Sequence, residues 1–288
     1  MKISGFTFIR NAIKYDYPID AAIRSILPIC DEVVVCEGNS EDETGALIQS
    51  VNSPKIKIIQ TVWDDSLKIG GKALAVETDK AFDSVSEDSD WAFYIQGDEV
   101  IHEDDLDTIL DAMKKYKDDH NVECLVFKYI HFYGNYHYVA DSRQWYRREM
   151  RVIRNDKTIR SYRDAQGFRR NGKKLNGKLI NACVYHYGWV KNPYLQKNKI
   201  LNFNKLYGNV KENLVLEQVE LYDYKNIDSL RLFEGTHPIY IQERINARNW
   251  DFEFDLTKKR LTLKEIFSRF VEKQTGKRPF EFTNYKLI

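Results

Sequence analysis

Apolar runs and amphipathic stretches alternate through the first half of the chain. Residues 3–9 form an apolar run that predicts a strand, and across residues 18–27 the apolar positions Ile19, Ala22, Ile23, Ile26 and Leu27 share one helical face. Residues 32–36 are rich in valine and predict a second strand. The following Ser40-Glu41-Asp42-Glu43 has the spacing of a capping box and leads into Thr44, Leu47, Ile48 and Val51 at helical period. The unit then repeats. Residues 56–60 predict a third strand, and residues 72–85 a third helix with Leu74, Ala81 and Val85 inward. Residues 91–95 predict a fourth strand, Leu106, Ile109, Leu110 and Met113 a helix, and residues 124–129 a fifth strand.

This βαβ series predicts an α/β fold, a mostly parallel central sheet flanked by helices on both faces. Ligands of such sheets bind beyond the carboxyl ends of the strands. Candidate chemistry therefore lies at Arg10-Asn11, at Glu37-Gly38-Asn39-Ser40 and at Gln96-Gly97-Asp98-Glu99. From about residue 130 the pattern changes to a Tyr- and His-rich stretch, then an Arg-rich one, which predicts antiparallel strands closing over the sheet. After Pro193 it becomes helical and irregular, and residues 262–275 predict a last helix, with Ile266, Phe270 and Val271 on one side. With no clean linker, the division is a core over residues 1–192 and a packed C-terminal extension over residues 193–288.

Composition narrows the class. Forty-four Lys and Arg against 43 Asp and Glu leave a net charge of +1, which argues against an unspecific nucleic-acid binder. Four scattered cysteines, Cys30, Cys36, Cys124 and Cys183, form no CxxC pair, and the three inside apolar runs predict buried thiols of a reduced compartment. The N-terminus lacks a signal-peptide pattern and no apolar stretch is long enough to span a membrane, so a cytoplasmic protein with at most peripheral membrane contact is expected. Aromatic residues, at 13%, exceed ordinary core needs and suit a polar ligand groove.

The sharpest local feature is Asp98, set where an apolar strand ends. A carboxylate there suits a hard divalent ion, Mn²⁺ or Mg²⁺, which takes its other ligands from water and substrate phosphates. Glu103, Asp104, Asp105 and Asp107 read instead as an acidic first helical turn. With Asp98 in view, DEVVVCEGNSEDET and, about sixty residues on, FYIQGDE resemble the nucleotide-binding core of the family 2 glycosyltransferases with the Rossmann-like GT-A fold. The likeness covers about residues 3–115, making residues 1–115 the nucleotide-binding part and 116–192 the acceptor part. It implies a UDP- or GDP-linked sugar as donor and a glycan or glycolipid hydroxyl as acceptor. Glu37 would contact base or ribose and Asp98 would ligate the metal, with Arg10, Asn11, Asn39 and Gly97 beside the nucleotide. Two positions depart from the family pattern: Gln96 stands where a first Asp is usual, and Glu37 where an Asp is usual. Lys72 would neutralise donor phosphate, or is simply an exposed lysine at a helix start.

The second half, in REMRVIRN, SYRDAQGFRR, VYHYGWVK and FEGTHP, resembles a subgroup of small soluble bacterial enzymes of the same family. His186, after a largely apolar strand, would close the metal site, or is a satisfied core histidine; His237 lies in a turn before Pro238. The general base that an inverting member needs falls on Asp164, with Glu149 as its rival. The arginines near Glu149 would lower its pKa, and Arg160, Arg163, Arg169 and Arg170 offer Asp164 an ion-pair role instead. QGFRR approaches the Q-x-x-R-W motif of processive synthases but lacks its Trp, which favours single addition. Tyr129, His131, Tyr133, Tyr136, His137, Tyr138, Trp145 and Tyr146 would line the acceptor groove, or pack the sheet. Two other readings stand: a sugar-phosphate nucleotidyltransferase, which the absence of a Gly-rich loop after the first strand disfavours, and a decayed, non-catalytic glycan-binding protein, which Gln96 motivates.

Overall fold

The computed structural model describes residues 1–64, 66–67, 70–276, 278–279 and 281–288. In chain order its elements are β1 (Ile3–Ile9), α1 (Ile19–Ile26), β2 (Glu32–Gly38), α2 (Thr44–Gln49), β3 (Ile56–Thr61), α3 (Lys72–Asp83), β4 (Trp91–Tyr94), β5 (Glu99–Ile101), α4 (Leu106–Lys115), β6 (Cys124–Tyr133), β7 (Asn135–Ala140), β8 (Arg148–Arg154), β9 (Ile159–Tyr162), β10 (Gly167–Arg170), β11 (Lys173–Trp189), α5 (Pro193–Tyr207), α6 (Val210–Glu217), β12 (Leu230–Leu232), α7 (Gln242–Asn246), α8 (Leu263–Thr275) and β13 (Tyr285–Leu287).

The main path of the sheet runs β3-β2-β1-β4-β8-β6-β11-β10-β9. Its first four strands are parallel, as expected of the alternating pattern. At β4 the character changes: β8 pairs antiparallel with both β4 and β6, while β6 and β11 run parallel. Both faces of the parallel half are covered, so its strands are apolar throughout rather than alternating. Ile3, Ile9, Val33, Val35 and Phe93 face one core layer with α1 and α4, and Phe6, Val34, Tyr94 and Phe168 face the other with α3.

Three local expectations change. The Ser40 capping box does not form; Asp42 caps instead, its Oδ1 accepting from the Thr44 amide at 3.1 Å, and α2 begins without a side-chain bond from its own N-cap. The capping box of α8 is real, with Thr262 and Glu265 bonding reciprocally. The strand after α4 is longer than predicted, because the aromatic run through Tyr133 pairs with β11 and β7. Residues beyond 193 also enter the sheet: β12 adds to β7 and β13 to β11. Among the described residues, no helix is long and apolar enough to cross a membrane.

Candidate functional site

The chain leaves β1 at Arg10 and Asn11 and leaves β4 at Gln96, Gly97 and Asp98, and all five line one cleft of about 940 Å³. This is the position the carboxyl-end rule predicts. The opposite wall holds His131, Trp145 and Tyr146, then Asp164 and Gln166 from the turn between β9 and β10. The inner face of α5 completes it with Gln196, Lys199, Phe203 and Tyr207. Asn192, accepting from the Tyr194 amide, and Pro193 start α5, and Gly208 at φ 76° ends it.

Asp98 is buried, and its carboxylate meets two side chains. Lys199 Nζ donates to Oδ2 at 3.0 Å and His186 Nε2 lies 3.6 Å from the same oxygen. Burial alone would raise this acid, but the Lys199 charge first and then His186 outweigh it and hold the carboxyl well below the usual range. Gly188 makes the approach possible. A Cβ there would lie 2.5 Å from Asp98 Oδ2 and 2.6 Å from His186 Nε2. His186 and His131 share a hydrogen bond between their Nδ1 atoms at 3.2 Å, and His131 Nε2 bonds the Tyr146 carbonyl at 2.9 Å. Burial, then the neighbouring His186, depress His131 well below a free imidazole, so it packs as a neutral ring.

Of the two candidate bases, Asp164 reaches the cleft. Tyr207 Oη donates to its Oδ2 at 2.6 Å, and the four neighbouring arginines are engaged elsewhere. Arg160 pairs with Asp83, Arg163 lies over Tyr162 and Phe282, Arg169 bonds Asn284, and Arg170 pairs with Glu123 and Asp156. Gly71, at φ 71°, lets the α3 start and Asp164 meet, since a Cβ would lie 2.7 Å from Asp164 Cβ. Glu149 sits in the core outside the cleft, accepting from Asn284 Nδ2 at 2.8 Å. Its pKa moves opposite to the sequence expectation: burial outweighs Arg151 and pushes it up to about 7.

The other expected contacts divide. Glu37 is buried at the end of β2, bonding the Ser40 amide at 3.1 Å, and Asn39 Oδ1 accepts from the Trp63 amide; neither lines the cleft, and neither does the exposed Lys72. Gln96 does, its amide donating to the Ala165 carbonyl at 3.1 Å. Of the eight aromatic and histidine residues assigned to an acceptor groove, His131, Trp145 and Tyr146 line the cleft. The others serve packing or stand apart. Tyr129 bonds buried Glu99, Tyr133 stacks with Trp189, Tyr136 packs on Tyr187, Tyr138 meets Phe252 edge-on, and His137 is exposed. His237 is half-buried between Tyr187 Oη at 2.9 Å and the Tyr136 carbonyl at 3.0 Å, and burial lowers it to about 4.

A divalent ion does not fit the arrangement around Asp98. His186 and Asp98 are near enough to share an ion, yet an ammonium already occupies the carboxylate, and Gln96 brings no charge. The adjacent acid is unavailable, because Glu99 is locked to Arg151 by bonds of 2.5 and 2.7 Å. Buried Lys191 stands close as well, with its ammonium 4.9 Å from the Tyr17 ring, the same distance as Lys199. Among the described residues, no three His, Cys, Asp or Glu side chains gather as a metal set.

Sequence reasoning missed Lys199 and Gln196, and also Tyr15, Tyr17, Trp63, Phe203 and Tyr207 on the cleft walls. The one available signal was the polar inner spacing of α5, where buried Gln196 and Lys199 lie three residues apart and Phe203 four further on.

No family model and no curated protein matches the chain. Among solved structures it is similar to S. aureus TarS 1-349 in complex with UDP, at 16% identity over 76% of this chain and 70% of that one, TM-score 0.40. It is similar to the mannosyltransferase PcManGT from Pyrobaculum calidifontis in complex with GDP-Man and Mn²⁺, at 16% identity over 43% of this chain and 34% of that one, TM-score 0.33. It is also similar to the 4-diphosphocytidyl-2C-methyl-D-erythritol synthase from Anaerococcus prevotii, at 9% identity over 73% of this chain and 96% of that one, TM-score 0.42. Likeness at this level carries no argument about activity.

Proposed function

We propose that the protein is a glycosyltransferase of the family 2 kind, moving a sugar from a UDP- or GDP-linked donor to a hydroxyl of a glycan or glycolipid, with inversion and one addition per encounter. The observation that carries this reading is the cleft in which a cation-bearing Asp98 cluster at the β4 exit faces an acid, Asp164, whose carboxylate accepts from the Tyr207 hydroxyl. The donor diphosphate lies against the cationic side, near Arg10 and Lys199. Asp164 accepts the proton of the acceptor hydroxyl as its oxygen bonds to the anomeric carbon, while the bond from that carbon to the diphosphate breaks on the opposite face. Tyr207 orients the Asp164 carboxylate through its hydroxyl. Trp145 and Tyr146 offer faces on which a sugar ring stacks.

The nucleotidyltransferase reading lacks support at its diagnostic place, because the loop after β1 carries Arg10 and Asn11 with no glycine cluster. A panel of UDP- and GDP-sugars, with release of UDP or GDP followed by chromatography, tests the proposal. Release from one donor class, accelerated by a glycan acceptor, is the expected result. Failure to bind or turn over any nucleotide sugar overturns it, and binding without turnover selects the decayed glycan-binding protein.

A further inference from the structure

The positive charge of the cleft is built into α5. Lys199 is held on four sides: Asp98 Oδ2 at 3.0 Å, the Gly188 carbonyl at 2.8 Å, and the faces of Tyr17 and Phe203 at 4.9 and 5.7 Å. An ammonium so restrained has already lost most of its side-chain entropy before a ligand arrives. One turn earlier on the same helix, Gln196 is fully buried and lines the same cleft, yet neither its Nε2 nor its Oε1 has a hydrogen-bond partner among the described residues. An unpaired buried amide has given up its hydration without a compensating hydrogen bond. A ligand that supplied both a phosphate oxygen and a hydroxyl would satisfy it. The restrained cation and the unpaired amide face one space from one helix.

Charge accounting points the same way. The cluster offers one carboxylate, Asp98, against Lys199, and Lys191 lies close enough to bear on Asp98. Burial first, and Lys199 next, lower the Lys191 ammonium to about 7, and the Lys199 ammonium already fills the space beside the Asp98 carboxylate. A dication would enter it against repulsion, with two protein ligands at most. A diphosphate anion would enter it with attraction.

Resting on the glycosyltransferase reading above, we infer that Lys199 stands in for the divalent cation: its ammonium meets the donor diphosphate, Gln196 bonds the same ligand, and donor binding needs no metal. During transfer the Lys199 charge stabilises the negative charge that accumulates on the departing nucleoside diphosphate. Asp98 is then a positioning residue, whose carboxylate fixes the ammonium rather than an ion.

Isothermal titration of the full chain with UDP and with GDP, each in EDTA and again in millimolar Mn²⁺ or Mg²⁺, is the decisive measurement. The expected result is binding of one nucleotide with affinities that agree within about threefold in EDTA and in metal. Binding seen only with metal overturns the inference and leaves the glycosyltransferase reading intact; no binding of either nucleotide under any condition overturns that reading, and the inference with it. Lys199→Met is expected to weaken nucleotide binding tenfold or more. Gln196→Leu, which removes the unpaired amide at similar volume, is expected to weaken it severalfold while leaving the melting temperature unchanged or higher. If Gln196→Leu folds and binds nucleotide as the wild type does, the α5 clamp is wrong even where metal independence holds.

Discussion

Asp98 and Glu99 are neighbours in the chain, yet they belong to different regions. Asp98 looks into the cleft, where Lys199 and His186 meet it beside open space. Glu99 turns into the core, fully buried, and is closed off by two bonds from Arg151, one from Tyr129 and one from the Gln96 amide. Arg151 in turn lies 5.5 Å from the Tyr94 and Tyr129 ring centroids. The second carboxylate pair repeats the contrast: Asp164 lies at the cleft wall under one tyrosine hydroxyl, while Glu149 is sealed near Arg151 and Asn284. The difference is one of function. A sealed ion pair leaves no charge for a ligand, whereas a carboxylate beside a cleft can hold a cation or accept a proton where substrate reaches it.

Substitutions that affect only one region show whether this division holds. The largest effect is expected from Asp164→Asn, which lowers transfer about a hundred- to ten-thousand-fold with nucleotide affinity and melting temperature unchanged. Retained transfer would remove Asp164 from the chemistry, and a large drop in melting temperature would move it to the structural side. Next, Arg151→Met strands Glu99 as an unpaired buried charge and costs about 3–5 kcal/mol in urea unfolding. A loss under about 1 kcal/mol would show that Glu99 is not sealed as described.

Glu149 allows a test by pH. Its folded pKa, about 7, lies above its ordinary value of 4.5, so the native state keeps a proton that the unfolded chain has released. This contribution to stability is fully present below the unfolded value and is lost as pH rises through the folded one. Wild-type stability should therefore fall by up to roughly 3 kcal/mol relative to Glu149→Gln between pH of about 4.5 and 7. Parallel curves for the two proteins would mean that Glu149 is ionised in the fold. The smallest effect is expected from Trp145→Phe, which raises the acceptor KM by a factor corresponding to about 0.5–1.5 kcal/mol while kcat is unchanged. A matching change in donor KM would place Trp145 on the donor side.

Much of the parallel half was legible because its signals are local. Apolar runs at 3–9, 32–36 and 56–60, with amphipathic periods between them, specify strand and helix from the side-chain spacing alone, and the order of units then requires parallel neighbours. The same logic placed Arg10, Asn11, Gln96, Gly97 and Asp98 at one cleft. Glu37, Asn39 and Lys72 lie outside that cleft, because being at a strand exit or a helix start does not say which way a side chain turns. Glu37 turns back to the Ser40 amide instead. The aromatic run divided between cleft and core, since period-2 alternation along β6 and β7 sends residues to opposite faces, and which face is core depends on the helices and loops of the last third of the chain.

Linear order therefore decided the alternation of elements, the parallel pairing of β1 to β4 and the position of Asp98 at a strand exit, since each follows from residues near one another in the chain. The partner of Asp98 was decided by the fold alone. Lys199 is 101 residues away on a helix whose inward face mixes Gln196 and Lys199 with aromatic rings, and no spacing rule connects the two. Folding brings α5 over the strand exits, and burial then makes the pairing obligatory, because a carboxylate removed from water needs a compensating charge. The same burial turned Glu149 from an expected strong acid into a weak one. Both outcomes depend on how much solvent the surrounding elements exclude, a property that arises only once the chain has closed on itself.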